Sequence, residues 1–187
     1  TRPAFGDLDG DGDLDVLEVE PGEVSSFRYF ENIGDAGFPS FSSPVTNPFG
    51  LAGPGDYAAP AFSDLDGDGD LDVLVGSGTN LLYYENMGDA GFPSFSSPAT
   101  NPFGLSSVGE YASPSFGDLD GDGDLDVLVG DGTGNFKYFE NTGDAGSPLF
   151  SSPVTNPVAL TDAGDESSPF LADLDGDGDL DLVAGNS

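Results

Sequence analysis

The chain has 187 residues, no cysteine and a formal net charge of −32, because 35 acidic residues face only three cations, Arg2, Arg28 and Lys137. With no basic stripe to offset this charge, nucleic acid is excluded as a partner and anionic membranes are disfavoured. Hydrophobic residues still make up 36% of the chain, and they include 15 Phe, so the composition indicates a folded protein rather than an acidic disordered one.

No signal peptide is present, and no apolar run is long enough for membrane insertion. The chain begins at Thr1 rather than Met, which we interpret as a processed product or a segment of a longer parent chain.

Each of four successive units opens with a Pro-aromatic run, which begins at Pro3, Pro60, Pro114 and Pro169. An acidic nine-residue segment follows, and then a short apolar run that is rich in branched residues. In the first three units a turn, an alternating aromatic run and a Gly/Ser/Pro-rich stretch come next. Such short runs, bounded by Gly, Asn, Asp and Pro, predict β strands, and no helical period lasts more than two turns. The sequence therefore predicts an all-β protein.

The acidic segment is the same in all four units. Residues 7–15 read Asp-Leu-Asp-Gly-Asp-Gly-Asp-Leu-Asp, and the same nine residues recur at 64–72, 118–126 and 173–181. Five carboxylates within nine residues repel one another unless a cation neutralises them. Alternate Asp residues with Gly at the sixth position are typical of calcium loops, because Gly permits the sharp turn that wraps oxygens around the ion. We expect about four bound Ca²⁺ ions.

In each loop we expect the first, third, fifth and ninth residues to supply carboxylates and the seventh to supply its backbone carbonyl. The predicted metal ligands are Asp7, Asp9, Asp11, Asp13 and Asp15; Asp64, Asp66, Asp68, Asp70 and Asp72; Asp118, Asp120, Asp122, Asp124 and Asp126; and Asp173, Asp175, Asp177, Asp179 and Asp181. We expect the two leucines of each loop to point away from the metal and to anchor the loop on the core.

The acidic segment fits an EF-hand, a metal-free turn or a different metal less well. An EF-hand needs flanking helices and a Glu at the twelfth position, where the four copies have Glu18, Val75, Val129 and Ala184. A metal-free Asp/Gly turn would leave the repulsion uncompensated in every copy. Mg²⁺ prefers a tight octahedron with several waters, and Zn²⁺ or Cu²⁺ would find no His or Cys here.

The acidic segments recur at periods of 57, 54 and 55 residues. This spacing predicts one repeat domain, 1–187, with units at 1–57, 58–111, 112–166 and a partial fourth unit at 167–187. A unit of this size cannot bury both faces alone, so stacked neighbours must supply the core. The fourth unit ends after its second predicted strand, and we expect a longer parent chain or another copy to complete it.

The repeated pattern resembles the FG-GAP/VCBS repeat family. The pattern is Asp-x-Asp-x-Asp-Gly-x-x-Asp, entered by Pro-x-Phe and followed by Asp-Val-Leu-Val-Gly and Tyr-Phe-Glu-Asn-x-Gly. The resemblance implies antiparallel four-stranded blades of a β-propeller, each with a calcium loop between its first two strands, as in integrin α-subunit heads. It therefore implies a propeller-like array of about three and a half blades, fewer than the roughly four to eight blades of a closed ring.

Several residues outside the loops have a structural and a binding interpretation. The aromatic runs could stack on sugars, but their alternation favours packing between blades; they contain Phe27, Tyr29, Phe30, Tyr83, Tyr84, Phe136, Tyr138 and Phe139. We expect the Glu-Asn pairs that follow these runs to close turns through side-chain hydrogen bonds. Tyr57 and Tyr111 are better candidates for an exposed contact, although packing against the neighbouring unit is favoured there too.

Two functions fit the sequence. The first is a calcium-binding structural module of a secreted or surface-displayed assembly, which self-associates head-to-tail into a filament or continues into further repeats of a parent chain. The alternative is an adhesion or lectin-like propeller segment that binds glycan or protein through its loops. Both place the chain outside the cell or at its surface, where calcium is near millimolar. With no His or Cys, and with its Asp clusters assigned to calcium, the chain is not expected to be an enzyme.

Overall fold

The computed structural model describes residues 2–21, 25–35, 37–89, 91–157 and 160–186. The first residue of the first predicted unit and the last residue of the fourth therefore lie outside the described residues. The described β strands are Ala4–Gly6 (β1), Asp15–Glu20 (β2), Ser26–Phe30 (β3), Val45–Thr46 (β4), Ala59–Ser63 (β5), Asp72–Ser77 (β6), Asn80–Tyr84 (β7), Ala99–Thr100 (β8), Ser113–Gly117 (β9), Asp126–Gly130 (β10), Phe136–Phe139 (β11), Val154–Thr155 (β12), Ser168–Ala172 (β13) and Asp181–Gly185 (β14). A short 3₁₀ helix spans Pro48–Gly50.

The strands form separate antiparallel sheets in sequential order. Three sheets have four strands, β1 to β4, β5 to β8 and β9 to β12, and the fourth sheet pairs β13 with β14. Equivalent pairs hold the same register: Phe5 is opposite Val16 in the first sheet, and Phe62 is opposite Val73 in the second. The prediction of an all-β fold with the acidic loop between the first two strands of each sheet is confirmed.

The outer strands β4, β8 and β12 contain only two residues each and are exposed. They come from the Pro-rich stretches, and in the first unit Pro44 and Pro48 lie close to either end of the strand. Proline lacks the N–H that would continue the ladder, so the outer edge of each four-stranded sheet stays short.

The sheets follow one another like the blades of a propeller. The first strand of each sheet contacts the first strand of the next, which places β1, β5, β9 and β13 side by side. Together these strands line a cavity of about 310 Å³. The acidic loops leave the sheets at one end of these inner strands.

The core lies between neighbouring sheets. One apolar cluster joins the first sheet to the second and includes Leu17, Phe27, Val73 and Tyr84. The rings of Phe27 and Tyr84 meet edge to face with their centroids 5.5 Å apart. A second cluster joins the second and third sheets in the same way. The prediction that the aromatic runs pack between blades is confirmed for this pair, and each blade depends on its neighbour for burial.

The leucines of the acidic loops do not all behave as expected. Leu8 is buried in the first cluster, whereas Leu14 is 58% exposed and Leu174 is 61% exposed. Leu71, the counterpart of Leu14, packs against the cluster between the first two sheets. The expectation that both leucines anchor every loop is therefore wrong for Leu14 and Leu174, and also for Leu119, Leu125 and Leu180, which are 36%, 36% and 39% exposed. A loop leucine is well buried only where a neighbouring unit covers it.

Candidate metal centre

The first Asp of each acidic loop folds the loop around itself. In the first loop Gly10 N–H donates to Asp7 Oδ1 at 2.8 Å, and Gly12 N–H donates to Asp7 Oδ2 at 3.0 Å. The third and fifth Asp each accept a backbone N–H from two residues further on, and all these bonds recur in the other three loops. The Gly at the sixth position has φ between +94° and +99° in every loop, a conformation that favours glycine.

The last Asp of the loop ties it to the aromatic strand. Asp15 is 1% exposed, and its Oδ2 accepts hydrogen bonds from Leu8 N–H at 3.1 Å and from the Tyr29 hydroxyl at 2.8 Å. Its Oδ1 accepts from Asn32 N–H at 2.8 Å. The same three donors recur around Asp72 and Asp126. These contacts fix one end of each of the first three loops to the core.

The Asn of each Glu-Asn pair closes the next turn. Asn32 Oδ1 accepts from Gly34 N–H at 3.2 Å and from Ser40 N–H at 2.9 Å, and Asn86 and Asn141 do the same in their units. The turn-closing role predicted for these Asn residues is confirmed.

The tyrosines that hold the last Asp were not recognised as part of the site from the sequence. The alternation of the aromatic runs favours packing between blades over sugar stacking, and neither interpretation depends on the tyrosine hydroxyl. A signal was nevertheless present: a Tyr stands three residues before the Asn in each complete unit, at Tyr29, Tyr83 and Tyr138.

Three carboxylates converge in every loop. Each group has carboxylate oxygens that all lie within 4.8 Å of one another, and the four groups are Asp7, Asp9 and Asp15; Asp64, Asp66 and Asp68; Asp118, Asp120 and Asp122; and Asp173, Asp175 and Asp181. Two ligand oxygens on opposite sides of Ca²⁺ are separated by roughly 4.6–5.2 Å, twice the metal–oxygen distance. An all-oxygen site of this size fits calcium. The structure thus brings together three of the four carboxylates that were predicted for each loop.

Burial makes the bare carboxylates unfavourable in these loops. Desolvation raises the pKa of Asp72 to about 6, although hydrogen bonds from Asn86, Tyr83 and Leu65 oppose the rise. Desolvation also raises the pKa of Asp9 and of Asp66, and a neighbouring carboxylate adds to the rise in each case. A bound cation would reverse this effect, because it favours the ionised form.

The comparison with protein families gives one consistent result. The model of the FG-GAP-like repeat matches three overlapping segments, residues 7–75, 64–129 and 118–184. The chain belongs to the FG-GAP-like repeat family. Each matched FG-GAP-like segment begins at the first Asp of an acidic loop and runs through the next loop, so the family pattern includes all four loops.

The FG-GAP-like fold also resembles part of a solved structure. A chain of the Tc holotoxin pore of Photorhabdus luminescens is 24% identical, with a TM-score of 0.54, over 98% of this chain and 8% of the toxin chain. At this identity the likeness concerns the fold alone, and this chain corresponds to a small part of the toxin chain. Comparison with curated proteins gave no match. In the part of the chain that the structure describes, no helix has the length and hydropathy to cross a membrane.

A second concave region lies at one end of the inner strands. A cavity of about 450 Å³ is lined by Arg2, Tyr57, Tyr111 and Glu166, among others. The two tyrosine rings meet edge to face at 5.0 Å, and Tyr57 is 66% exposed. The Arg2 guanidinium donates to the carbonyl of Tyr111 at 3.1 Å and to that of Glu166 at 3.3 Å. The tyrosines therefore pack against each other across two units, while one of them stays accessible.

Proposed function

We propose that this FG-GAP-like chain is a calcium-binding structural module of a secreted or surface-displayed assembly. The observation that carries the proposal is the convergence of three carboxylates within 4.8 Å in each of the four loops. The chain's own residues would hold the ion: Asp side chains supply oxygens, and backbone N–H groups keep them oriented. The ion would supply positive charge and no chemistry, so the proposal assigns no catalytic role.

In the first loop calcium would act on stability through the last Asp, Asp15, which is one of the three converging carboxylates. Asp15 joins the loop to Tyr29 on β3 and to the backbone at Asn32, so an ordered loop also orders the start of the next turn. For sub-millimolar dissociation constants, millimolar calcium would contribute about 1–2 kcal/mol per site. Four such sites would rival the net stability of a whole domain.

The two end faces of the array support a larger assembly. Phe5 and Leu14 of the first unit are 59% and 58% exposed, whereas their counterparts Phe62 and Leu71 pack against the cluster between the first two sheets. On the opposite face, Phe170 and Leu174 are 63% and 61% exposed. Faces that match internal interfaces suit further repeats of a parent chain or a second copy, and a head-to-tail contact that does not close gives a filament.

Size-exclusion chromatography with light scattering, in millimolar calcium and again in excess EDTA, tests this proposal. Large species that form only with calcium would support a self-completing filament or ring. A monomer in both conditions, with no calcium bound in equilibrium dialysis, would overturn the proposal. A monomer that binds calcium would support the metal site, and assembly would then require further repeats of the parent chain.

A second candidate function is adhesion through the cavity that contains Tyr57 and Tyr111. The observation in its favour is the tyrosine pair, of which Tyr57 is exposed, beside Arg2 and Glu166; together they offer an aromatic face and polar groups to a sugar. Binding to a glycan array that is lost in Tyr57→Ala would support it. The matched control is Tyr84→Phe, since Tyr84 is buried and lies outside the cavity lining.

A further inference from the structure

A turn of each following unit lies against the calcium loop of the unit before it. We call these the capping turns: Asp89, Gly91 and Phe92 in the second unit, and Asp144–Ser147 in the third. Each is closed by paired backbone hydrogen bonds, at 2.9 Å from Phe92 N to the carbonyl of Asp89 and at 3.0 Å from Ser147 N to that of Asp144. They follow the Asn that closes each aromatic strand.

The contact is made at the same position in both cases. A Cβ added at Gly91 would lie 3.6 Å from the carbonyl oxygen of Asp9, the third residue of the first loop. A Cβ added at Gly146 would lie 3.3 Å from the carbonyl oxygen of Asp66, the third residue of the second loop. The approach is close enough that a Cβ at Gly67 would lie 2.7 Å from Gly146 Cα. Only small residues allow the turn and the loop to touch in this way.

The third and fourth loops differ. A Cβ at Gly121 or Gly176, the counterparts of Gly67, would meet no atom within 4 Å. The leucine beside the loop follows the same division, since Leu65 is 3% exposed and Leu174 is 61% exposed. Among the described residues, the four chemically identical loops therefore fall into two that a following unit caps and two that remain open.

We infer that the capping turn is a positioning element for the calcium site of the preceding unit, so that calcium binding and the contact between units stabilise each other. The inference rests on the proposed calcium binding. The turn holds the backbone of the loop at its third residue before the ion arrives, and less ordering is then needed on binding. Conversely, an ordered loop presents a fixed carbonyl to the turn. Loops 7–15 and 64–72 should then bind calcium more tightly than 118–126 and 173–181.

Each loop contains its own reporter for a calcium titration. The amides of Gly12, Gly69, Gly123 and Gly178 each donate to the first Asp of their own loop, so their NMR shifts follow that carboxylate. In the wild-type protein we expect the Gly12 and Gly69 signals to reach half-change at lower calcium than the other two. A wild type in which all four signals change together would overturn the inference, and one in which none changes would overturn calcium binding itself.

Substitution of the capping glycines gives a crossed test. Gly91→Leu should raise the half-saturating calcium concentration of the first loop, and Gly146→Leu that of the second, each by about threefold or more, toward the roughly tenfold cost typical of groups that orient metal ligands. The control is Gly37→Leu, because Gly37 occupies the same turn of the first unit and a Cβ there would meet only Asp35 Oδ1, at 3.3 Å.

Each substitution must weaken calcium binding in the loop of the preceding unit. A shift in the second loop but not the first for Gly91→Leu would mean that the substitution only disturbs its own unit, and the inference would be wrong. Equal shifts for Gly37→Leu and Gly91→Leu would lead to the same conclusion. If a leucine variant fails to fold, the order in which the four glycine signals change in the wild-type titration still tests the inference.

Discussion

Replacing Asp72 with Ala should destabilise the protein even when no metal is present. Asp72 is 2% exposed and accepts three hydrogen bonds, from Asn86 N–H at 2.8 Å, from the Tyr83 hydroxyl at 2.8 Å and from Leu65 N–H at 3.1 Å. Alanine removes every acceptor at once and leaves the three donors in a region that water reaches poorly. The matched control is Asp181→Ala in the fourth unit.

The expected size follows from these contacts. A buried donor without a partner costs about 1–3 kcal/mol, so three donors give roughly 3–9 kcal/mol. Part of this loss is offset because an unfavourably buried charge disappears with the side chain, as the raised pKa of Asp72 indicates. We expect a net loss of about 2–4 kcal/mol. Asp181 is exposed, and its hydrogen bond from Leu174 N–H is exposed as well, so its loss should stay below about 1 kcal/mol.

Urea unfolding in excess EDTA, followed by tyrosine fluorescence and circular dichroism, measures this difference, since the chain has six Tyr and no Trp. EDTA removes any contribution from calcium, so the comparison concerns the hydrogen bonds alone. Losses of similar size for Asp72→Ala and Asp181→Ala would refute the reasoning, because they would show that the buried network adds nothing beyond an exposed turn.

Three further outcomes are expected. Chelation by EDTA should lower the melting temperature, with a loss of about 1–2 kcal/mol per emptied site, and an identical melt in calcium and EDTA would contradict it. The folded-state pKa of Asp72 is raised from 3.8 to about 6, so in EDTA its contribution to stability is lost as the pH rises through about 6 and is fully present below about 3.8. Acidification from about pH 7 to about pH 5 should then stabilise the EDTA-treated protein by about 1 kcal/mol. The same change should destabilise the calcium-loaded protein, because protons compete with the ion for the carboxylates. Thermal melts at both pH values would show a rise in melting temperature on acidification in EDTA and a fall in calcium. Leu71→Ala should cost about 1–3 kcal/mol in urea unfolding and Leu14→Ala less than about 0.5 kcal/mol, because only Leu71 packs against a neighbouring sheet; equal losses would exclude this account.

Much of the fold could be predicted because the same sequence pattern recurs in every unit. The period of the acidic segment, the Pro-aromatic run before it and the apolar run after it together place one loop between two strands in every unit. Strand alternation in the aromatic runs correctly predicted packing between blades, as for Phe27 and Tyr84. These features depend on residues close together in sequence, where local rules apply.

The rest depends on neighbours that lie far apart in sequence. The loops are identical in sequence, yet Leu8 is buried and Leu174 is exposed, because burial depends on whether another unit covers the loop. The hydroxyl of Tyr29 reaches Asp15 only because β3 pairs with β2 in a particular register, and composition does not give that register. The approach of Gly91 to Asp9 is equally invisible to local rules, since the two residues lie in adjacent units and are about one and a half repeats apart in sequence.

The outer strands have a consequence for how such an acidic protein behaves when its charge is neutralised. Calcium would weaken the repulsion that keeps molecules apart, and a free sheet edge then becomes a template for fusion with another sheet. Here the outer strand of each four-stranded sheet has two residues, and in the first unit Pro44 and Pro48 stand close to either side of it. Sideways fusion of these three sheets would therefore have almost no ladder to extend, whereas the end units keep exposed side chains such as Phe5 and Phe170 and a five-residue edge at β14. If calcium neutralises the acidic loops as proposed, association would then be directed to the two end units rather than to the edges of the four-stranded sheets, and an ion that would otherwise promote precipitation would favour an ordered array.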